Sequence, residues 1–231
     1  MIVSLRTLML FAICALLLLS GCATNRSVLS LDLPDTGVET PQNGSNVFIK
    51  AVSDQRVFQE KPKTPDIPSL GFGGAESAAN ELKKRAVGRK RNGYGKALGD
   101  IVLEENQNVE TVIKTALKQA FVESGYSAIE AEEDIDSNTI IVEAKIEKFW
   151  AYMTPGFWAL TLTSDVSTDL TLTSKTINGP EVKKINVKSE GKYQSASESN
   201  WMEIIKESLT QYVAKTKEIL SQEINLAHQD I

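Results

Sequence analysis

Two stretches in the C-terminal half of the chain alternate between apolar and polar residues, and this period of two limits the available folds. In "TIIVEAKIEKF", which starts at Thr139, every second residue from Ile140 to Ile146 is apolar. "FWALTLTSDVSTDLTLTS", from Phe157, continues the pattern. Such alternation is typical of an antiparallel sheet with one buried and one solvated face. Pro155-Gly156 and Asn178-Gly179 are turn signals, and we predict a third strand over residues 182–193.

Two helices are predicted around these strands. Between Asn108 and Ser124 the apolar residues recur with helical spacing, and Asn108 and Gly125 suit the N-cap and C′ positions. A second apolar stripe extends over residues 201–227, and Asn200 with Glu203 resembles a capping box. With a first strand at residues 46–52, the order is β-loop-α-β-β-β-α. We therefore expect an α+β fold, a two-layer sandwich of an antiparallel sheet with two helices on one face.

The N-terminus has the pattern of a bacterial lipoprotein signal. Arg6 precedes an apolar run from Leu8 to Leu19, which is too short for a bilayer-spanning helix. The run ends in Leu-Ser-Gly-Cys at residues 19–22, which matches the lipobox, so the Cys22 thiol would carry diacylglycerol and the new amino group a further acyl chain such as palmitate. The alternative is an ordinary signal peptide with an incidental cysteine. Ala23, in place of aspartate, favours sorting to the outer membrane.

These features predict the domain organisation. Residues 1–21 are expected to be the lipoprotein signal peptide, residues 22–45 a lipid-anchored flexible tether, and residues 46–231 a single α+β domain that faces the periplasm. The domain would contain a Pro/Gly-rich and basic insertion at about residues 59–100, with Pro62, Pro65 and Pro68 in its first part. Long loops of this kind are usually functional or disordered.

Composition excludes several kinds of active site. The chain has a net charge of −5, two cysteines and one histidine, His228. Cys14 lies in the signal peptide and Cys22 in the lipobox, so no disulfide is expected. With one histidine, we expect neither a multi-histidine metal site nor a histidine-based triad. We expect no metal, no cofactor and no enzymatic activity.

The insertion contains the clearest reversal of charge in this acidic chain. "LKKRAVGRKRNGYGK", residues 82–96, has seven basic residues and no acidic one. Arg89, Lys90 and Arg91 are its centre. Nucleic acid is not a sensible partner in the periplasm, whereas an anionic membrane surface or an acidic protein is. The alternative is a solvated basic loop with no partner.

Three further motifs are candidates for function. "FWAYMTPGFW", residues 149–158, has five aromatic residues around a Pro-Gly turn, and Trp150, Tyr152 and Trp158 could anchor a partner or enter lipid headgroups. The alternative is that they set the register of a hairpin. Asp54 and Arg56 follow the first strand and suit a structural clamp better than a ligand site. "EAEEDID", residues 130–136, lacks the glycine and spacing of a calcium loop.

The chain resembles the YajG-like family of bacterial lipoproteins. The resemblance rests on the lipobox, on "DQR" after the first strand, on "ESGY" at the end of the first helix, and on the strands and helix that follow. It implies an outer-membrane lipoprotein and suggests no catalytic residues; the insertion is a departure from the family. We expect a non-enzymatic accessory or interaction module of the cell envelope with a protein partner there. The alternative is an enzyme that acts on envelope polymers through acidic residues.

Overall fold

A computed structural model of the chain describes residues 26–33, 44–71, 73–174 and 179–227, with side chains up to residue 221. Cys22, the signal peptide, Asn178 and His228 lie outside the described residues. The strands are β1 (Ser27–Leu29), β2 (Asn46–Asp54), β3 (Ala86–Arg91), β4 (Ala97–Leu103), β5 (Ser127–Ile129), β6 (Thr139–Pro155), β7 (Leu160–Thr173) and β8 (Glu181–Tyr193). The helices are α1 (Asn80–Arg85), α2 (Val109–Glu123) and α3 (Glu198–Ala227).

The eight strands of the described residues belong to one sheet, and β6 is its centre. One edge of β6 pairs along its length with β7, which pairs with β8, and both pairings are antiparallel. The other edge is shared, because β2 pairs with the first half of β6 and β3 with the second half, both in parallel. Strand β5 extends the sheet from β2, and β4 and β1 extend it from β3.

The α+β class is confirmed, but the expectation of an antiparallel sheet is wrong. Alternation and hairpin turns predict the antiparallel part, β6 to β8, because consecutive strands with tight turns pair with each other. Strands β2 and β3 reach β6 through long connections, as parallel pairing requires. No local pattern in the sequence predicts such pairings.

The second half of the expected insertion at residues 59–100, from Asn80 onward, is mostly regular structure. It contains α1, β3 and most of β4. Strand β3 lacks clear alternation because Ala86, Val87 and Gly88 are all buried, on whichever face they lie. Gly88 allows the close approach of β3 to β6, since a Cβ atom there would lie 2.6 Å from the carbonyl oxygen of Ala151.

The expectation of a flexible tether over residues 22–45 is also wrong in part. Residues 27–29 form β1, which pairs in parallel with β4, and Leu29 and Leu31 are buried in the main core. The burial of these two leucines explains why a short polar-looking segment is held against the domain. Arg26, the residue before β1, is four positions after Cys22.

The main core contains the apolar faces of α2 and α3 together with the inward residues of the central strands. In α2 the predicted stripe is fully buried, and Asn108 and Thr111 form a capping box. Helix α3 starts earlier than expected, at Glu198; the Asn200 amide donates to the Ser197 hydroxyl (3.3 Å), so the capping box predicted at Asn200 is wrong. Among the described residues, no helix is both long and apolar enough to span a bilayer.

We predict that Leu117→Asp strongly destabilises the domain. Leu117 has no exposed surface, and an unpaired carboxylate in its place would cost several kcal/mol. The melting temperature should fall by about 10 °C or more. The matched control is Thr115→Asp, which adds the same charge to the exposed face of the same helix and should melt close to the parent. Equal melting of both variants would contradict the burial of α2.

Candidate functional site

Arg56 lies buried where β2 leaves β6 and β3 joins it. Its guanidinium has no exposed surface and binds both carboxylate oxygens of Asp54, each at 2.8 Å. The same group donates to the carbonyl oxygens of Ala86 (2.6 Å), Phe149 (3.0 Å) and Lys83 (2.8 Å). An arginine side chain has five N–H donors, and five bonds are made here. The pair thus acts as a structural clamp between four segments.

The clamp provides hydrogen bonds to backbone carbonyl groups at the place where one edge of β6 changes its partner from β2 to β3. The Gln55 amide still pairs with the Ile146 carbonyl of β6 (3.0 Å), and the carbonyl of Phe149, three residues further along β6, accepts a hydrogen bond from Arg56. Between Ile146 and Lys148 the register with β7 shifts by one residue, which is a β-bulge. The bulge and the clamp therefore coincide at the junction of β2, β3 and β6.

We predict that Arg56→Met lowers stability by about 3–5 kcal/mol, because it leaves the largely buried Asp54 carboxylate and three carbonyl groups without their donor. Lys50→Met is the matched control, since it removes an ion pair with Glu143 in which both side chains are about half exposed. Thermal melting should separate the two variants clearly. A parent-like melting curve for Arg56→Met would refute the clamp.

The basic side chains of β3 are directed to protein acceptors, which contradicts the prediction of a basic loop that presents Arg89, Lys90 and Arg91 to a partner. Arg89 donates to the Leu70 carbonyl (2.7 Å), Lys90 to the Ser27 hydroxyl (2.7 Å), and Arg91 to the Ser69 hydroxyl (2.6 Å). Burial lowers the pKa of all three side chains from their ordinary values. These cations hold the segments on either side of β3 in place.

The carboxylate of Asp100, in β4, is buried beside Arg89 of β3. It has no exposed surface, accepts a bond from the Gly71 amide (2.9 Å), and lies 3.4 Å from Arg26 and 3.8 Å from Arg89. The carboxylate balances part of the buried positive charge of β3. It thereby connects the start of the described chain, the Pro-rich segment and the sheet.

We predict that changing Arg89, Lys90 and Arg91 together to Ser lowers the melting temperature by several degrees, because their hydrogen bonds are lost and Asp100 loses a cation. A control with the same loss of charge replaces Lys61, Lys63 and Lys96, all exposed, by Ser. The control should melt like the parent. If the two triple variants melted alike, the basic strand would have no structural role.

The five aromatic residues of "FWAYMTPGFW" are separated by the structure. After the bulge, Phe149 faces the main core, whereas Trp150 packs in a second cluster with Leu70, Ala86 and Val102. The Trp150 ring lies edge-on to Phe58 at 5.9 Å, and its Nε1 donates to the Pro65 carbonyl (3.1 Å). Trp150 is therefore not part of an interaction surface, and the half-buried Tyr152 packs against the same cluster.

Exposed aromatic residues are found at one end of the sheet. Phe157 and Trp158 are 89% and 84% exposed in the turn between β6 and β7, with their rings edge-to-face at 4.7 Å. Tyr94 is 98% exposed in the turn between β3 and β4. Because β3 and β6 are parallel neighbours, the two turns lie at the same end. We call this region, with the exposed Lys63 and Lys96, the aromatic end.

The aromatic end contains a shallow cavity of about 240 Å³ between the two turns. It is lined by the Pro-rich segment at Lys63 and Pro65, by Asn92 and its neighbours, and by β6 from Met153 to Pro155. The side-chain oxygen of Asn92 accepts bonds from the amides of Tyr94 (3.0 Å) and Lys96 (2.9 Å). This turn is thus held by its own hydrogen bonds while the Tyr94 ring stays in solvent.

The acidic segment at residues 130–136 forms a short 3-10 helix, Glu132–Asp134. A hydrogen bond from the Thr139 hydroxyl to the Asp136 carboxylate lowers the pKa of that group, and Glu130 pairs with Lys118 at 2.6 Å. Within the described ranges, no three His, Cys, Asp or Glu side chains are grouped so that they could hold a metal ion.

Comparison with known proteins gives distant structural similarity. The sequence matches no family model and no curated protein. The structure is similar to an uncharacterised protein with a TM-score of 0.45 and 10% identity over 85% of this chain and 99% of that one. It is also similar to a DUF330 protein from Xanthomonas campestris, with a TM-score of 0.44 and 11% identity over 89% of this chain and 97% of that one. For a minor lipoprotein from Acinetobacter baumannii the TM-score is 0.31 and the identity 8%, over 46% of this chain and 82% of that one.

Proposed function

We propose that the chain is an outer-membrane lipoprotein whose domain faces the periplasm and acts as a non-enzymatic interaction module of the cell envelope. The observation that carries the proposal is the lipobox at residues 19–22 directly after an apolar run of signal-peptide length. Membership of the YajG-like family is a hypothesis that rests on the same motif and on the short sequences quoted above. An envelope protein is the expected partner.

The chemistry of the described residues supports a non-enzymatic role. An enzyme acting through carboxylates needs a titratable group in a cleft with a perturbed pKa and access to substrate. Asp100, the buried carboxylate beside Arg89, is instead used by the Gly71 amide and two arginines. Asp54 is used in the same way by Arg56. The alternative of a hydrolase for envelope polymers has no comparable support.

We predict that mass spectrometry of the mature N-terminus finds an acylated Cys22, because all four lipobox positions have suitable residues. Cys22→Ala should abolish acylation and leave the precursor uncleaved while the domain still folds, since the described core begins only at residue 27. Cys14→Ala, which changes the other cysteine of the chain, should be acylated like the parent. An unmodified Cys22, or a mature terminus elsewhere, would refute the proposal.

A further inference from the structure

We infer that the aromatic end of the domain, with Tyr94, Phe157 and Trp158, docks into the surface of the same phospholipid bilayer that holds the lipid anchor. The inference rests on the proposed lipidation of Cys22 and deepens it, since it assigns which surface of the domain meets the membrane.

The anchor has a short reach. Cys22 precedes Arg26 by four residues, and a chain spans at most about 3.3–3.6 Å per residue, so the lipidated residue lies within about 14 Å of Arg26. A tether of more than twenty residues, as the sequence alone suggests, would have let the domain turn freely. The packing of Leu29 and Leu31 in the core removes that freedom.

Arg26 lies close to the aromatic end. It contacts Asp100 at 3.4 Å, and the pairing of β4 with β3 and of β3 with β6 places Asp100 level with Tyr152. From Tyr152, β6 continues for only about 10 Å to Pro155, whereas about 40 Å of strand separates Tyr152 from Thr139. Arg26 therefore lies about 30 Å nearer to the aromatic end than to the opposite end of the sheet, and a domain that stands upright on the bilayer meets it with the aromatic end.

The direction of β1 agrees with this position. β1 is parallel to β4, which runs away from the β3–β4 turn, so the chain enters β1 from the side of that turn. The N-terminal end of β1 therefore lies on the side of the aromatic end. The membrane anchor and the exposed aromatic rings belong to the same side of the domain.

The chemistry of the aromatic end fits a phospholipid surface. Trp and Tyr rings place an apolar body beside lipid and a polar tip in the headgroups, and interfacial segments bury their apolar side chains about 5–10 Å deep. Lys63 and Lys96 are exposed beside these rings and suit anionic headgroups. Glu198, at the start of α3, is an acidic residue on the same side. Burial lowers the pKa of the half-buried Lys90, and the charge of Glu198 opposes part of this lowering.

The tryptophan content of the chain provides a test on the full lipoprotein. Trp150 and Trp201 have no exposed surface, whereas Trp158 is 84% exposed, so a quencher carried by lipid can reach only Trp158 among them. The lipoprotein is reconstituted in vesicles of phosphatidylethanolamine and phosphatidylglycerol that contain acyl-chain-brominated lipid. Mass spectrometry of the same sample records the state of Cys22.

We expect the brominated lipid to lower the Trp158 fluorescence at least about two-fold, and Trp158→Phe to remove the quenching while the two buried tryptophans still emit. The matched control is Val182→Trp in the Trp158→Phe background, because Val182 is exposed near the opposite end of the sheet. That tryptophan should be quenched by aqueous acrylamide and not by lipid.

Each other result would overturn the inference. Acylated Cys22 with Trp158 open to acrylamide and unaffected by brominated lipid would refute membrane docking but leave the lipoprotein intact. Protection of Trp158 in native envelopes but not in vesicles would mean that a protein covers the aromatic end. Equal lipid quenching at positions 158 and 182 would mean that the domain lies on its side. An unmodified Cys22 would refute the proposed function together with this inference.

Discussion

The buried guanidinium of Arg56 is the interaction on which the architecture of the sheet depends. One edge of β6 serves two strands, β2 and β3, and neither covers the stretch between them. Burying an arginine costs several kcal/mol unless its charge is paired and its donors are bound. Asp54 and three backbone carbonyl groups meet both conditions. The clamp thus lets a nine-residue strand and a six-residue strand share one longer partner.

The shared edge has consequences for the second face of the sheet. Once β3 is held beside β6, the Pro-rich segment before it folds over Trp150 and the β3–β4 pair, where Leu70 and Phe58 form a small second cluster. The cations of β3 then bond to this segment and to β1. The basic residues of β3 therefore support neighbouring segments of the domain, and the exposed basic side chains nearby include Lys63 and Lys96.

The same arrangement links fold and proposed function. Strands β3 and β6 run in parallel, so their turns come together and present Tyr94 beside Phe157 and Trp158. β1 pairs with β4, the strand beyond β3, and its N-terminal end lies on the same side. Exposure of large aromatic rings in water is unfavourable, and under the proposed lipidation a bilayer within about 14 Å of Arg26 would offer them an apolar partner.

The sequence by itself determined the features that depend on local pattern: α2 with its Asn108 cap, the strands β6 to β8, the α+β class, and the lipobox. Period and capping are properties of neighbouring residues, so they can be seen without a fold. Tertiary structure decided the rest. Four features depend on partners distant in the chain: the parallel pairing of β2 and β3 with β6, the docking of β1, the bulge that turns Trp150 away from the main core, and the partial burial of Arg89. Such contacts produce no periodic pattern in the sequence. A run of basic residues likewise does not show whether its side chains will donate hydrogen bonds to water or to protein.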